Sequence, residues 1–171
     1  MRISPHFTLA ELTHSETATR HGIDIVVPEA SPVMANLQRL CHSVLEPVRE
    51  AFGPTVVLSG YRSPEVNTLV GGAAKSQHLE GLAADILCPG VAPLEVCRWI
   101  HRNLPAVADQ IIHEFGRWTH VSIAVAGQQP RRSLLTAVKA PVGPGGAVRT
   151  VYVPGLHSID QALTRVTGAK T

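Results

Sequence analysis

The chain has 171 residues, of which 44% are hydrophobic and 16% charged, with a formal net charge of +2. That length allows one domain with a sizeable core, and the composition is globular rather than disordered. No basic run or aromatic ladder is present, so nucleic acid is not an expected partner.

No apolar stretch approaches the ~20 residues that span a bilayer. The first residues, MRISPHFTLAEL, lack the apolar segment of a signal peptide. A product made soluble in the cytoplasm is expected, with export left to other means if it works outside. Cys41, Cys88 and Cys97 are odd in number and form no CxxC, so free buried thiols are expected rather than disulfides or a thiolate metal site. Nine histidines in so short a chain make a metal site worth seeking.

In chain order, Thr8 and Glu11 have the spacing of a capping box for a short helix, and Gly22 can end the helical stretch that follows. GIDIVVP is expected to be extended. Ser31 and Pro32 mark the start of a long amphipathic helix, with Val33, Leu37, Leu40, Val44, Val48 and Phe52 at helical spacing, ending at Gly53-Pro54. Pro47 inside it predicts a kink or break near Ser43 to Glu46. TVVLSGY (Thr55 to Tyr61) is expected to be a buried strand, SPEVNTLVGG a short helix capped by Ser63, and LAADIL a strand.

PLEVCRWIHRNLP reads as a helix, and ADQIIHEFGRWTHVSIAV as two strands around a tight turn at Phe115 to Arg117. RRSLLTAV is a further strand, the Pro/Gly stretch Ala140 to Ala147 a loop or linker, RTVYV a strand, and a capped helix starts at Ser158. The order implies an α+β domain on a small antiparallel sheet. A main domain is expected over 1–139, with 140–171 as an extension of unknown role.

Three polar residues interrupt apolar patterns. His78 lies in a loop, Asp85 opens an apolar strand, and His120 breaks WTHVSIAV on the face it shares with Trp118 and Ser122. A buried Asp is costly unless paired or bound to a cation. Two His and one carboxylate, with a fourth position left to water, form the ligand set of a catalytic zinc. The alternative is a hydrogen-bonded network without metal. His6, His14, His21, His42, His101 and His157 have no partners at metal spacing, and Glu80 reads as solvated.

SGYRSPEVN, GGAAKSQHLEGLAAD and WTHVS together resemble the peptidase M15 group: zinc D-alanyl-D-alanine carboxypeptidases and the L,D- and D,D-endopeptidases of phage endolysins. The signature S-x-H-x-x-G-x-A-x-D maps onto Ser76, His78, Gly81, Ala83 and Asp85, followed by Trp118 and His120. The resemblance covers about residues 5 to 135. It implies a small α+β fold shared with the hedgehog signalling domain, with helices packed on one side of an antiparallel sheet. One zinc per chain is then held by His78, Asp85 and His120.

The resemblance gives Arg62, in GYRS, the role of holding developing negative charge; a structural salt bridge is the other reading. Ser76 and Gln77 are candidates for hydrogen bonds to substrate or to the ligand His. Tyr61 and Trp118 are candidates for cleft walls, or else simply pack.

The sequence departs from the family at Arg117, where many members carry an acidic general base three residues before the last His. Glu114 is the nearest carboxylate, and zinc hydrolysis requires one beside the attacking water. A three-residue turn places Glu114 opposite Trp118, on the His120 face. A two-residue turn places His113 opposite His120 instead. Glu114 is favoured, because a branch of the family carries an acidic residue there.

Two functions compete. One is a zinc peptidase cutting peptidoglycan stem peptides, either D-Ala-D-Ala carboxypeptidase or endopeptidase, of phage or prophage type and acting on the cell wall. The other is an inactive zinc-containing binding module of the same fold. The bond cut, the host and the oligomeric state are not encoded in these motifs.

Overall fold

In the computed structural model, which describes residues 1–143 and 145–168, helices begin where their capping residues stand. Thr8 and Glu11 close a reciprocal capping box ahead of α1 (Leu9–Thr13). Ser15 caps α2 (Glu16–His21), which ends at Gly22 in the left-handed region. The stretch after it, expected to be extended, forms no strand; Val27 enters the core while Val26 stays exposed.

Ser31 caps α3 (Pro32–Leu40), which runs through a π-helical turn at Cys41–Leu45 into α4 (Glu46–Phe52). This is the form the expected kink at Pro47 takes. Proline has no N–H to donate to the preceding turn. The backbone widens instead, so that the Glu46 N–H donates to the Cys41 carbonyl. The helix therefore continues without breaking.

Six strands form one sheet in the order β1-β2-β4-β3-β5-β6. They are β1 (Val56–Ser59), β2 (Ala83–Leu87), β3 (Ala108–Glu114), β4 (Trp118–Ile123), β5 (Ser133–Val142) and β6 (Ala147–Pro154). The fold is α+β on a mostly antiparallel sheet, as expected, with β3 and β5 parallel. The parallel pair arises because the chain leaving β4 passes over the start of β3 and enters β5 in the direction of β3. β1 is not the buried strand expected. It pairs only with β2, and Val56 and Leu58 are 45% and 43% exposed. β-Branched, apolar composition gives a strand but does not say whether it lies at an edge.

The pleat sorts the side chains. Ala84, Ile86, Ile111 and Val121 face the helices and join Leu37, Leu40, Val44 and Val48 in the main core. Val96, Cys97 and Ile100 of α6 (Pro93–Asn103) complete that layer. The valine, leucine and isoleucine side chains among these each contribute about 1.5–3 kcal/mol on burial. On the same face Val138, Ala140 and Val153 pack against Ala162 of α7 (Ile159–Thr167) in a smaller cluster. The principal helices thus lie on one side of the sheet and leave the other side for the site.

The Pro/Gly stretch Ala140–Ala147 joins two paired strands, with Val142 opposite Ala147. Pro144 and residues 169–171 of the expected extension lie outside the described residues. The three cysteines are free and buried, and burial pushes the Cys41 and Cys97 thiols up to about 12. No helix among the described residues is long and apolar enough to cross a membrane.

Candidate metal centre

His78 stands on a 3-10 turn, Gln77–Glu80, that follows the short helix α5 (Pro64–Leu69) and precedes β2. Gly81 ends the turn at φ +68°, where a Cβ would stand 3.0 Å from the Val33 carbonyl oxygen. A side chain there meets both backbone strain and crowding, so glycine lets the turn pass directly into β2. Asp85 lies in β2 directly opposite His120 of β4, and cross-strand partners share a face.

The three side chains converge. His120 Nδ1 is 2.9 Å from Asp85 Oδ1, His78 Nε2 is 3.4 Å from the same oxygen, and the two ring nitrogens are 3.3 Å apart. All three residues are buried. Ligand atoms at ~2.0–2.1 Å from a tetrahedral zinc stand about 3.3 Å from one another, so this triangle has the size of three zinc ligands. Imidazole nitrogen and carboxylate oxygen are also donors that zinc accepts.

The other atoms of these residues are held from behind. His78 Nδ1 lies 2.7 Å from the Gly60 carbonyl oxygen. An N–H donated there leaves the Nε2 lone pair facing the centre, the usual arrangement for a ligand histidine. Gly60 itself has no room for a side chain, since a Cβ would lie 2.3 Å from the Leu12 carbonyl oxygen. Arg62 donates from Nη2 to Asp85 Oδ2 at 2.7 Å and from Nε to Ser59 Oγ at 2.8 Å. Burial opposes ionisation of Asp85, but the charge of His78 and the hydrogen bond from His120 outweigh it. They hold the carboxyl well below the usual range.

The β3–β4 turn takes three residues. Glu114 pairs with Trp118 and Ile112 with His120, the Arg117 N–H donates to the Glu114 carbonyl at 2.9 Å, and Phe115 and Gly116 have φ of +56° and +71°. In this register Glu114 shares the face of His120 and lines the same cleft of about 660 Å³ as His78, Asp85 and His120. His113 turns to the opposite face, where its Nδ1 lies 2.9 Å from the His157 carbonyl and burial lowers its pKa.

Burial and the nearby Asp85 charge raise the pKa of Glu114. His120, Arg62 and the Trp118 indole pull the other way without cancelling the rise. The buried Trp118 N–H completes no hydrogen bond among the described residues.

Arg62, Ser76, Gln77 and Trp118 line the cleft with the metal-spaced group. The Gln77 amide is already engaged: Nε2 donates to Asp109 Oδ2 at 3.0 Å and to the Ile123 carbonyl at 3.2 Å, and Oε1 accepts from Arg131 Nη2 at 2.8 Å. Tyr61 is not among the lining residues. It packs half-buried against the main core, and its N–H donates to the Leu12 carbonyl at 2.7 Å. Arg117 is exposed at the turn.

Of two further cleft residues, Asp109 is weighed from the sequence only as a base and set aside as too far back along β3, and Tyr152 is not singled out at all. Asp109 is buried on β3, and Arg131 holds it through Nε at 2.8 Å and its backbone N–H at 2.7 Å. Its signal was available, since an Asp within an apolar strand is the same anomaly that singled out Asp85. Tyr152 of β6 also lines the cleft, and nothing in RTVYV points to that.

No curated protein matches the chain. A family model described as Peptidase M15 matches residues 5–122, somewhat short of the expected limit at 135. The matched span runs from ahead of α1 into β4 and contains His78, Asp85, Glu114 and His120, so the family match and the buried His–Asp–His group fall on the same residues. By that match over more than two thirds of its length, the chain belongs to the peptidase M15 family.

Proposed function

We propose that this chain is a zinc-dependent peptidase that hydrolyses peptide bonds in peptidoglycan stem peptides. It would act as a D-Ala-D-Ala carboxypeptidase or an endopeptidase, of the phage or prophage lytic type, on the cell wall. The observation that carries this reading is a buried His78–Asp85–His120 triangle of zinc-ligand size with Glu114 in the same cleft. A zinc ion held by these three residues supplies Lewis acidity towards the scissile carbonyl and the attacking water.

The chain's own groups supply the rest. Glu114 accepts the proton of the attacking water and passes it to the leaving amine, and its raised pKa makes it the stronger acceptor. Arg62 keeps Asp85 ionised and oriented through Nη2. Arg62 also lines the cleft, and we assign its guanidinium the role of meeting negative charge that develops on the carbonyl oxygen. Ser76 and Trp118 contact the peptide. Glu114 on the metal face supports a peptidase over a zinc-containing binding module, which has no need of a carboxylate there.

Digestion of purified sacculi by the zinc-loaded chain, followed by muropeptide analysis, tests the proposal. The expected result is release or shortening of stem peptides at one linkage. Unchanged muropeptides at full zinc content would favour the binding module.

A further inference from the structure

We propose that Tyr152 of β6 is a substrate-binding residue, packing its ring against the apolar part of a peptide ligand and donating its hydroxyl to a peptide carbonyl. For the nature of the ligand, the inference rests on the peptidase reading of the site.

The strand register carries it. Trp118, Glu114, Ala137 and Tyr152 lie opposite one another in successive strands, forming one row across the sheet. Strands are about 4.8 Å apart, which puts Tyr152 roughly 10 Å from Glu114 along that row. The residue between them is Ala137, whose methyl group raises no barrier. The neighbouring row, His120, Ile112, Leu135 and Pro154, supplies an apolar floor leading away from the metal-spaced group. Arg62 follows β1 at one edge of the sheet, and Tyr152 stands on the strand at the other edge. The cleft is therefore cationic at one end and aromatic at the other.

Tyr152 lines this cleft and is 53% exposed. Its hydroxyl has no hydrogen-bond partner among the described residues. Burial, with the negative charges of Glu114 and Asp85, raises the phenol pKa from a value at which the hydroxyl is already a donor at neutral pH. An aromatic ring offers a large, stiff contact surface together with one polar group, and Tyr152 stands at the cleft with its hydroxyl in no hydrogen bond among the described residues. β6 lies beyond residues 5–122, so the inference gives the C-terminal hairpin a part in the site that the family match does not cover.

The test titrates a synthetic stem pentapeptide into full-length, zinc-loaded protein by calorimetry. Tyr152→Ala and Tyr152→Phe are placed in a Glu114→Gln background, so that the peptide stays intact. KM and kcat are then read for the same substitutions with Glu114 restored. Tyr152→Ala is expected to weaken binding about 10-fold and Tyr152→Phe about 3-fold, at unchanged thermal midpoint and zinc content. The loss should fall in KM rather than kcat.

Equal binding by Tyr152→Phe and Tyr152→Ala at the parent level overturns the inference. Binding that depends on Tyr152 without any cleavage by the unsubstituted chain supports it and overturns the hydrolytic reading alone. Absence of binding by the parent overturns the inference as well.

Discussion

Glu114 and His113 are neighbours in sequence, and a single turn residue decides which of them faces the metal-spaced group. Period-two alternation in ADQIIHE admits either outcome, because Ile111 and Ile112 satisfy a core on either side. Phe115 settles it by adopting positive φ alongside Gly116, which lets the turn take three residues. Glu114→Gln should therefore keep fold and zinc but lower hydrolysis of sacculi by about 100-fold or more. His113→Ala should stay within a few-fold of the parent, since that ring serves only a carbonyl on the other face. Dye release from labelled sacculi at matched zinc content would check both. The reverse pattern would remove Glu114 from the role of base.

The candidate ligands were legible in two steps: a carboxylate and two imidazoles in apolar surroundings demand partners, which a metal-free network would also satisfy, and only the resemblance to the peptidase M15 signature turned that demand into a proposed metal site. Tyr152 was not legible, because an aromatic in an alternating strand is equally at home in a core, and only the register across β3 and β5 turns it to the cleft.

At the level of elements, strand identities were readable from composition and turns, whereas sheet order was not. Nothing local in TVVLSGY distinguishes an edge from a centre, and nothing in SLLTAV announces a parallel partner. Pro47 was readable as a disturbance but not as a π turn, since the same missing donor permits a break, a bend or an added residue.

The division into 1–139 and 140–171 remains a proposal about which part suffices to fold around the metal. Its boundary falls within β5, so a sound truncation keeps that strand whole and ends after Val142. Such a chain should retain stoichiometric zinc, because His78, Asp85 and His120, with the main core behind them, all precede the cut. It should melt at a lower temperature, because Val138 and Ala140 lose the cover of Val153 and Ala162. Elemental analysis and a melting curve would show this. Loss of zinc on truncation would make the hairpin an integral part of the domain.

For the molecule as a whole, the proposed ligation of a cation by three buried side chains would couple metal binding to folding. A cation that binds only the native state, at 100 times its dissociation constant, adds about 2.7 kcal/mol. A chelator should therefore lower the melting midpoint by about 5–10 °C at this chain length. His78→Ala should abolish stoichiometric zinc and be insensitive to chelation. Full zinc in that variant, measured by elemental analysis, would remove His78 from the ligand set.

The strand order also sets a schedule. Two of the proposed ligands, His78 and Asp85, emerge close together from the ribosome, while His120 follows 35 residues after Asp85. Between them lie α6 and β3, which precede in the chain the strand β4 that pairs with β2. A nascent chain halted before residue 120 carries two of the three proposed ligands. On the proposed ligand set, capture of a cation by all three side chains would be a late event that waits for β4 to lie beside β2, so that a bound metal would report a sheet whose middle is in place.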